Sequence, residues 1–96
     1  MTGATQPSPG GVEVLDVPER SRFEAYVDGE LAGFSEYVLD AGRIVFTHTE
    51  VDDAFAGHGV GGALVETALR EVRGRGLQVV ARCPFVAKWM REHPQE

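Results

Sequence analysis

The sequence has no apolar run approaching the ~20 residues of a membrane-spanning helix, and its first residues lack the basic and apolar regions of a secretory signal. The expectation is a soluble, cytoplasmic protein with no membrane partner. A single cysteine, Cys83, excludes an internal disulfide and any cysteine-based metal cluster. His48, His58 and His93 stand too far apart to give a metal-ligand spacing, so no metal is expected. Positive charge is scarce as well. Nine Lys and Arg against 15 Asp and Glu leave a net charge of −6, the opposite of what a general nucleic-acid binder needs to neutralise phosphates. At 96 residues there is room for one domain. A chain of this size buries only about 60–65% of its unfolded surface, so an open cleft is expected rather than a deep enclosed site.

The charge that is present is unevenly spread. Residues 1–50 hold three basic and nine acidic side chains, whereas residues 51–96 hold six of each. An anionic ligand is better received by the second half; the acidic first half either faces a cationic substrate such as an amine or is a solvated face that aids solubility. Residues 1–11 are mostly Gly, Pro, Ser, Thr and Gln with almost nothing to bury, which reads as a disordered lead-in. A single folded domain is expected over residues 12–96.

Within that domain the period-two signals come first. Val12-Glu13-Val14-Leu15-Asp16-Val17 reads as a short strand ended by Pro18. Phe23 to Val27 alternates, Asp28-Gly29 supplies a two-residue hairpin turn, and residues 31–39 run on as its partner. Asp40-Ala41-Gly42 turns into a third β-rich run over residues 43–50, giving an antiparallel meander. From Val60 the apolar Ala63, Leu64, Ala68, Leu69 and Val72 recur at helical spacing until Gly74 and Gly76. A short strand over residues 77–81 follows, then a helix opened by Cys83-Pro84. The fold class expected is α+β: a meander, then a βαβ unit with its two strands parallel, then a C-terminal helix.

Between the two halves lies Gly57-His58-Gly59-Val60-Gly61-Gly62. A helix start leaves N–H groups without intrahelical partners and carries partial positive charge, and glycines let a phosphate approach both. The run matches Gly-x-Gly-x-x-Gly in form. A dinucleotide fold, however, needs that turn directly after a strand and an acidic residue at the end of the next one. Here Asp52 and Asp53 intervene and the next strand ends at Arg82. No Lys-Ser or Lys-Thr follows, so the Walker A pattern fails too.

Read as Ala56-Gly57-His58-Gly59-Val60-Gly61, the run resembles the pyrophosphate loop of the GNAT N-acetyltransferase superfamily, Gln/Arg-x-x-Gly-x-Gly/Ala, with Ala56 in place of the leading Gln or Arg. The order of elements is that of the GNAT core. With Phe46-Thr47-His48-Thr49-Glu50-Val51 and Cys83-Pro84-Phe85-Val86, the resemblance covers residues 23–94 and is nearest to the small YjdJ-like subfamily. It implies a three-layer acetyl-CoA-binding domain and N-acetyl transfer to a small amine or a protein amine. The alternative is a non-catalytic acyl-CoA binding or sensing module. The implied cosubstrate contacts are the backbone of His58, Gly59, Val60, Gly61 and Gly62 for the pyrophosphate and of Thr49 and Val51 for the pantetheine arm.

Transfer to an amine needs a neutral nucleophile, donors for the oxyanion and a proton for the departing thiolate. His48 and Glu50, two apart on a strand and so on one face, are the candidate bases; that face is either the cleft or the core. Many GNAT enzymes use a tyrosine of the last helix as the acid, and none follows Tyr37 here. Cys83, at a helix N-terminus where a dipole favours thiolate, is the substitute, as proton donor or as acetyl-accepting nucleophile, unless it is simply a small buried hydrophobe.

Overall fold

The computed structural model describes residues 11–94; the lead-in expected over residues 1–11 falls, Gly11 excepted, outside the described residues, as do positions 95 and 96 of the expected domain. Five strands form one sheet in the order β1-β2-β3-β4-β5: β1 (Val12–Val17), β2 (Arg22–Val27), β3 (Glu30–Asp40), β4 (Arg43–Val51) and β5 (Gln78–Ala81). Neighbours are antiparallel except β4 and β5, which are parallel and joined through helix α1 (Val60–Gly74). Helix α2 (Pro84–Glu92) closes the described chain. The expected α+β architecture is thus the one observed.

Local chemistry accounts for these boundaries. Asp28 (φ 50°) and Gly29 (φ 83°) both take positive φ, the type I′ geometry whose twist matches the flanking strands. Pro18 ends β1 and starts a 3-10 turn over Pro18–Arg20. Pro84 occupies the first turn of α2, where its missing N–H costs nothing. In α1, Val60, Leu64, Val65, Ala68, Leu69 and Val72 are all buried on one stripe. They pack on Phe23, Ala25, Ile44 and Phe46 of the sheet, each fully buried large side chain contributing about 1.5–3 kcal/mol. Phe23, Tyr37 and Phe46 make an aromatic cluster there, with ring centroids 5.6 to 6.4 Å apart.

A bulge in β4 decides which residues face this core. Tyr37 pairs with Phe46 but Glu36 pairs with His48, so Thr47 is an extra residue without a partner. Before it, Ile44 and Phe46 point under α1, each 1% exposed. After it the phase is reversed. Thr49 and Val51 take the inner face, and His48 and Glu50 turn to the outer one, which they share with Arg22, Glu24, Phe34 and Glu36 across the ladder.

Both faces carry a buried polar network. On the outer face Glu24, 2% exposed, accepts from Arg22 Nε at 2.8 Å, Arg20 at 3.1 Å and the Tyr26 hydroxyl at 2.6 Å. Burial alone would raise its carboxyl pKa; the bonds from Tyr26, Arg22 and Arg20 outweigh burial and hold it below the ordinary value. At the other end of the sheet the Tyr37 hydroxyl donates to Asp16 at 2.6 Å, and Arg75 joins Asp16 to Glu71. Burial first, then the bond to Asp16, raises the Tyr37 phenol.

Candidate functional site

The parallel ladder of β4 and β5 stops early. Its last rung pairs Phe46 with Ala81, and the Phe46 carbonyl then accepts the N–H groups of both Arg82 and Cys83 at 2.9 Å. The chain turns there into α2, while β4 continues to Val51 with β3 as its only partner strand among the described residues. The edge of β4 over residues 47–51 is left open. The Asp52 N–H donates to the Ala32 carbonyl of β3 at 2.8 Å. Counting back by alternation, Glu50 and His48 turn their backbone groups toward β3, whereas Thr49 and Val51 turn theirs to the open edge.

The start of α1 stands by this gap. Gly59 caps the helix in the left-handed region (φ 72°, ψ 23°) with no side-chain cap, a conformation that glycine takes without strain. The first intrahelical bond runs from the Ala63 N–H to the Gly59 carbonyl at 3.1 Å, so helix geometry leaves the N–H groups of Val60, Gly61 and Gly62 without intrahelical partners. A Cβ placed on Gly57 or Gly59 would meet nothing within 4 Å. The space in front of the turn is clear. Gly61 has a different role: a Cβ there would come within 2.4 Å of Phe85 Cζ, so its smallness lets α2 pack on α1.

His58 differs from the sequence expectation. Its N–H donates to the Phe55 carbonyl at 3.2 Å and its Nδ1 lies 3.1 Å from the same oxygen. A tight turn has engaged the donor, which sets His58 apart from Val60, Gly61 and Gly62. His93 stacks on Trp89 at 4.0 Å. Arg75 is held by Asp16 and Glu71, and Arg70 lies 3.6 Å from Glu66.

The three candidate catalytic side chains do not form one group. Cys83 caps α2, is 3% exposed and donates its S–H to Thr49 Oγ1 at 3.3 Å on the inner face of β4. Thr49 Oγ1 lies 2.9 Å in turn from Ser35 Oγ, which is 1% exposed. His48 and Glu50 sit together on the outer face, Nε2 to Oε2 at 2.9 Å, with side chains 52% and 62% exposed. Neither is in the core. The bulge at Thr47 puts them across the strand from the thiol, so His48 and Cys83 cannot act as a direct dyad.

On the outer face a shallow pocket of ≈ 200 Å³ is lined by Leu31, Ala32, Gly33, Phe34, Glu50 and Asp52. Apart from Glu50, the sequence reading missed these residues; the only signal was Gly33 inside a strand, which marks a close backbone approach. The Phe34 ring lies 6.1 Å from that of His48, and Arg22 stacks over it at 4.3 Å. Among the described residues no group of three or more His, Cys, Asp or Glu is placed to hold a metal, and no helix is long and apolar enough to cross a membrane.

The fold has counterparts among solved structures. A ribosomal-protein-alanine N-acetyltransferase from Brucella melitensis biovar Abortus 2308 superposes with a TM-score of 0.61 at 19% identity, over 92% of this chain and 64% of that one. An integron cassette protein from V. cholerae gives 0.55 at 15%, over 90% and 55%. An aminoglycoside acetyltransferase from an uncultured soil metagenomic sample, solved with sisomicin, gives 0.53 at 14%, over 88% and 58%. The chain thus spans somewhat more than half the length of each, and the likeness is one of fold. No curated protein matches the sequence. The model of the GCN5-related N-acetyl-transferases matches residues 22–96. The chain belongs to that family.

Proposed function

We propose that this protein binds acetyl-CoA over residues 12–96 and moves its acetyl group to a primary amine. The observation that carries this reading is the open edge of β4 beside the uncapped start of α1. An extended amide-bearing arm can add to the edge as a short strand through the backbone of Thr49 and Val51, while Gly59, Val60, Gly61 and Gly62 present N–H groups to the pyrophosphate. The clear space before Gly57 and Gly59 fits a ligand lying close to the backbone. The small YjdJ-like branch is favoured because, among the described residues, only the turn Pro18–Arg20 lies between β1 and β2. A cytoplasmic setting is part of the same proposal.

The chain's own groups then divide the work across β4. On the inner face Cys83 meets the thioester end; its thiol either protonates the departing CoA sulfur or takes the acetyl group, its proton passing to the CoA sulfur as the new S–C bond forms and the CoA S–C bond breaks, before the amine displaces the thiol from the acetyl group. Thr49 and Ser35 hold that thiol in place. On the outer face His48, oriented by Glu50, takes the proton of the incoming amine.

Intact mass after incubation with acetyl-CoA, in native and then denaturing spray, tests both parts beside Cys83→Ala. A noncovalent adduct in both proteins supports the cradle. An acetyl increment that survives denaturation in the wild type alone makes Cys83 a nucleophile, and turnover of an amine panel without that increment makes it an acid. An adduct with no turnover would leave the binding or sensing module, and no adduct at millimolar ligand would overturn the reading.

A further inference from the structure

We infer that the pocket between β3 and the end of β4 receives the acceptor, and that the acceptor is a single primary ammonium on a short unbranched apolar stem. The inference rests on the acetyltransfer reading for the word acceptor, though not for the chemistry of the pocket. Four observations point the same way. The pocket is lined by two kinds of residue, the apolar Leu31 and Phe34 and the acidic Glu50 and Asp52, which suits a ligand with an apolar stem and a cationic end. Leu31 is 39% exposed, an apolar surface at the rim that a stem would cover.

Size narrows the class. At ≈ 200 Å³ the space is below the roughly 300–1,000 Å³ of pockets that enclose drug-sized ligands. A butylammonium group fits, and a multi-ring polyamine does not. The surroundings agree in charge. Arg22, cationic and stacked on Phe34, is committed to Glu24 at 2.8 Å, and His48 lies 2.9 Å from Glu50 Oε2. Asp52 spends one oxygen on the Ala54 N–H at 2.9 Å. Position completes the argument. Glu50 both lines the pocket and holds His48, so an ammonium bound there lies beside the group that would remove its proton.

A nitrogen-15 NMR titration of the full-length protein without acetyl-CoA tests this. The probes are n-butylammonium chloride, 1-butanol and N-acetyl-lysine methylamide, at fixed ionic strength, with Asp52→Asn and Glu50→Gln alongside. Asn keeps an acceptor for the Ala54 N–H, and the dispersion of each spectrum reports whether the variant is folded. Saturable shifts centred on residues 31–34 and 50–52 are expected with butylammonium, at least tenfold weaker with butanol and at least fivefold weaker in each variant. Tighter binding of the lysine derivative would assign the stem to a protein lysine, and equal binding to a free amine; both support the class. An equal response to butanol, shifts centred elsewhere, no shift up to 50 mM, or undiminished affinity in both variants would overturn it. Since the titration contains no acetyl-CoA, loss of the cradle in the mass measurement and loss of the ammonium site here are separate failures.

Discussion

Between Arg43 and Phe46, β4 has β3 on one side and β5 on the other, and its inward side chains Ile44 and Phe46 are each 1% exposed. Over residues 47–51 it keeps β3 alone, its inward side chain Thr49 bonds a thiol, and its outward ones, His48 and Glu50, are open to water. One strand therefore serves as core at one end and as the proposed site at the other, and a single inserted residue, Thr47, marks the change. A strand paired on both sides has no backbone donors to offer a ligand. One released on one side has them already fixed in position, at no further ordering cost.

Substitutions at the two ends should separate stability from function. Phe46→Ala, at the closed end, removes a ring from the aromatic cluster and is expected to cost about 3–5 kcal/mol in urea unfolding. A loss below about 1 kcal/mol would mean that the closed end is not the core. Glu24→Gln, on the outer face, leaves two arginines without their charged partner and should cost about 2 kcal/mol at pH 7. Because the folded Glu24 carboxyl lies below its ordinary 4.5, its contribution is complete above that pH and fades as pH falls through the lower folded value. The gap between wild type and variant should narrow below about pH 4.5, and a gap constant from pH 7 to pH 3 would contradict the network.

Smaller effects sharpen the contrast. Gly61→Ala forces a methyl against Phe85 and should cost about 1–3 kcal/mol, a loss relieved when Phe85→Ala is added. Equal losses in both backgrounds would return Gly61 to a purely ligand-facing role. His48→Ala, at the open end, should change stability by less than about 0.5 kcal/mol while lowering amine acetylation about 10²-fold or more. If it proves destabilising and leaves turnover intact, the outer face is structural.

Much of the frame was readable from residue order. Asp28-Gly29 announced its hairpin, the apolar stripe from Val60 announced α1, and Cys83-Pro84 announced the start of α2, because each is a local signal acting over a few residues. The glycine run was legible as a helix start, but the division of labour within it was not. That Gly61 admits Phe85 depends on a helix that begins at Pro84, 23 residues further on. The face of His48 and Glu50 stayed open for the same reason. Alternation tells which residues share a face, yet a bulge arises from the register of two strands, and nothing in Thr47 itself declares it. Ser35, Asp52 and the buried Glu24 read as ordinary strand and loop residues until the sheet brings them their partners.

The most direct test is amide hydrogen exchange along β4, with and without acetyl-CoA. In the free protein the N–H groups of Thr49 and Val51 should exchange faster than those of His48 and Glu50, which face β3, and added acetyl-CoA should slow Thr49 and Val51 together with Val60, Gly61 and Gly62. If Thr49 and Val51 are already as protected as their neighbours, or acetyl-CoA leaves all five unchanged, the open edge is not the binding slot.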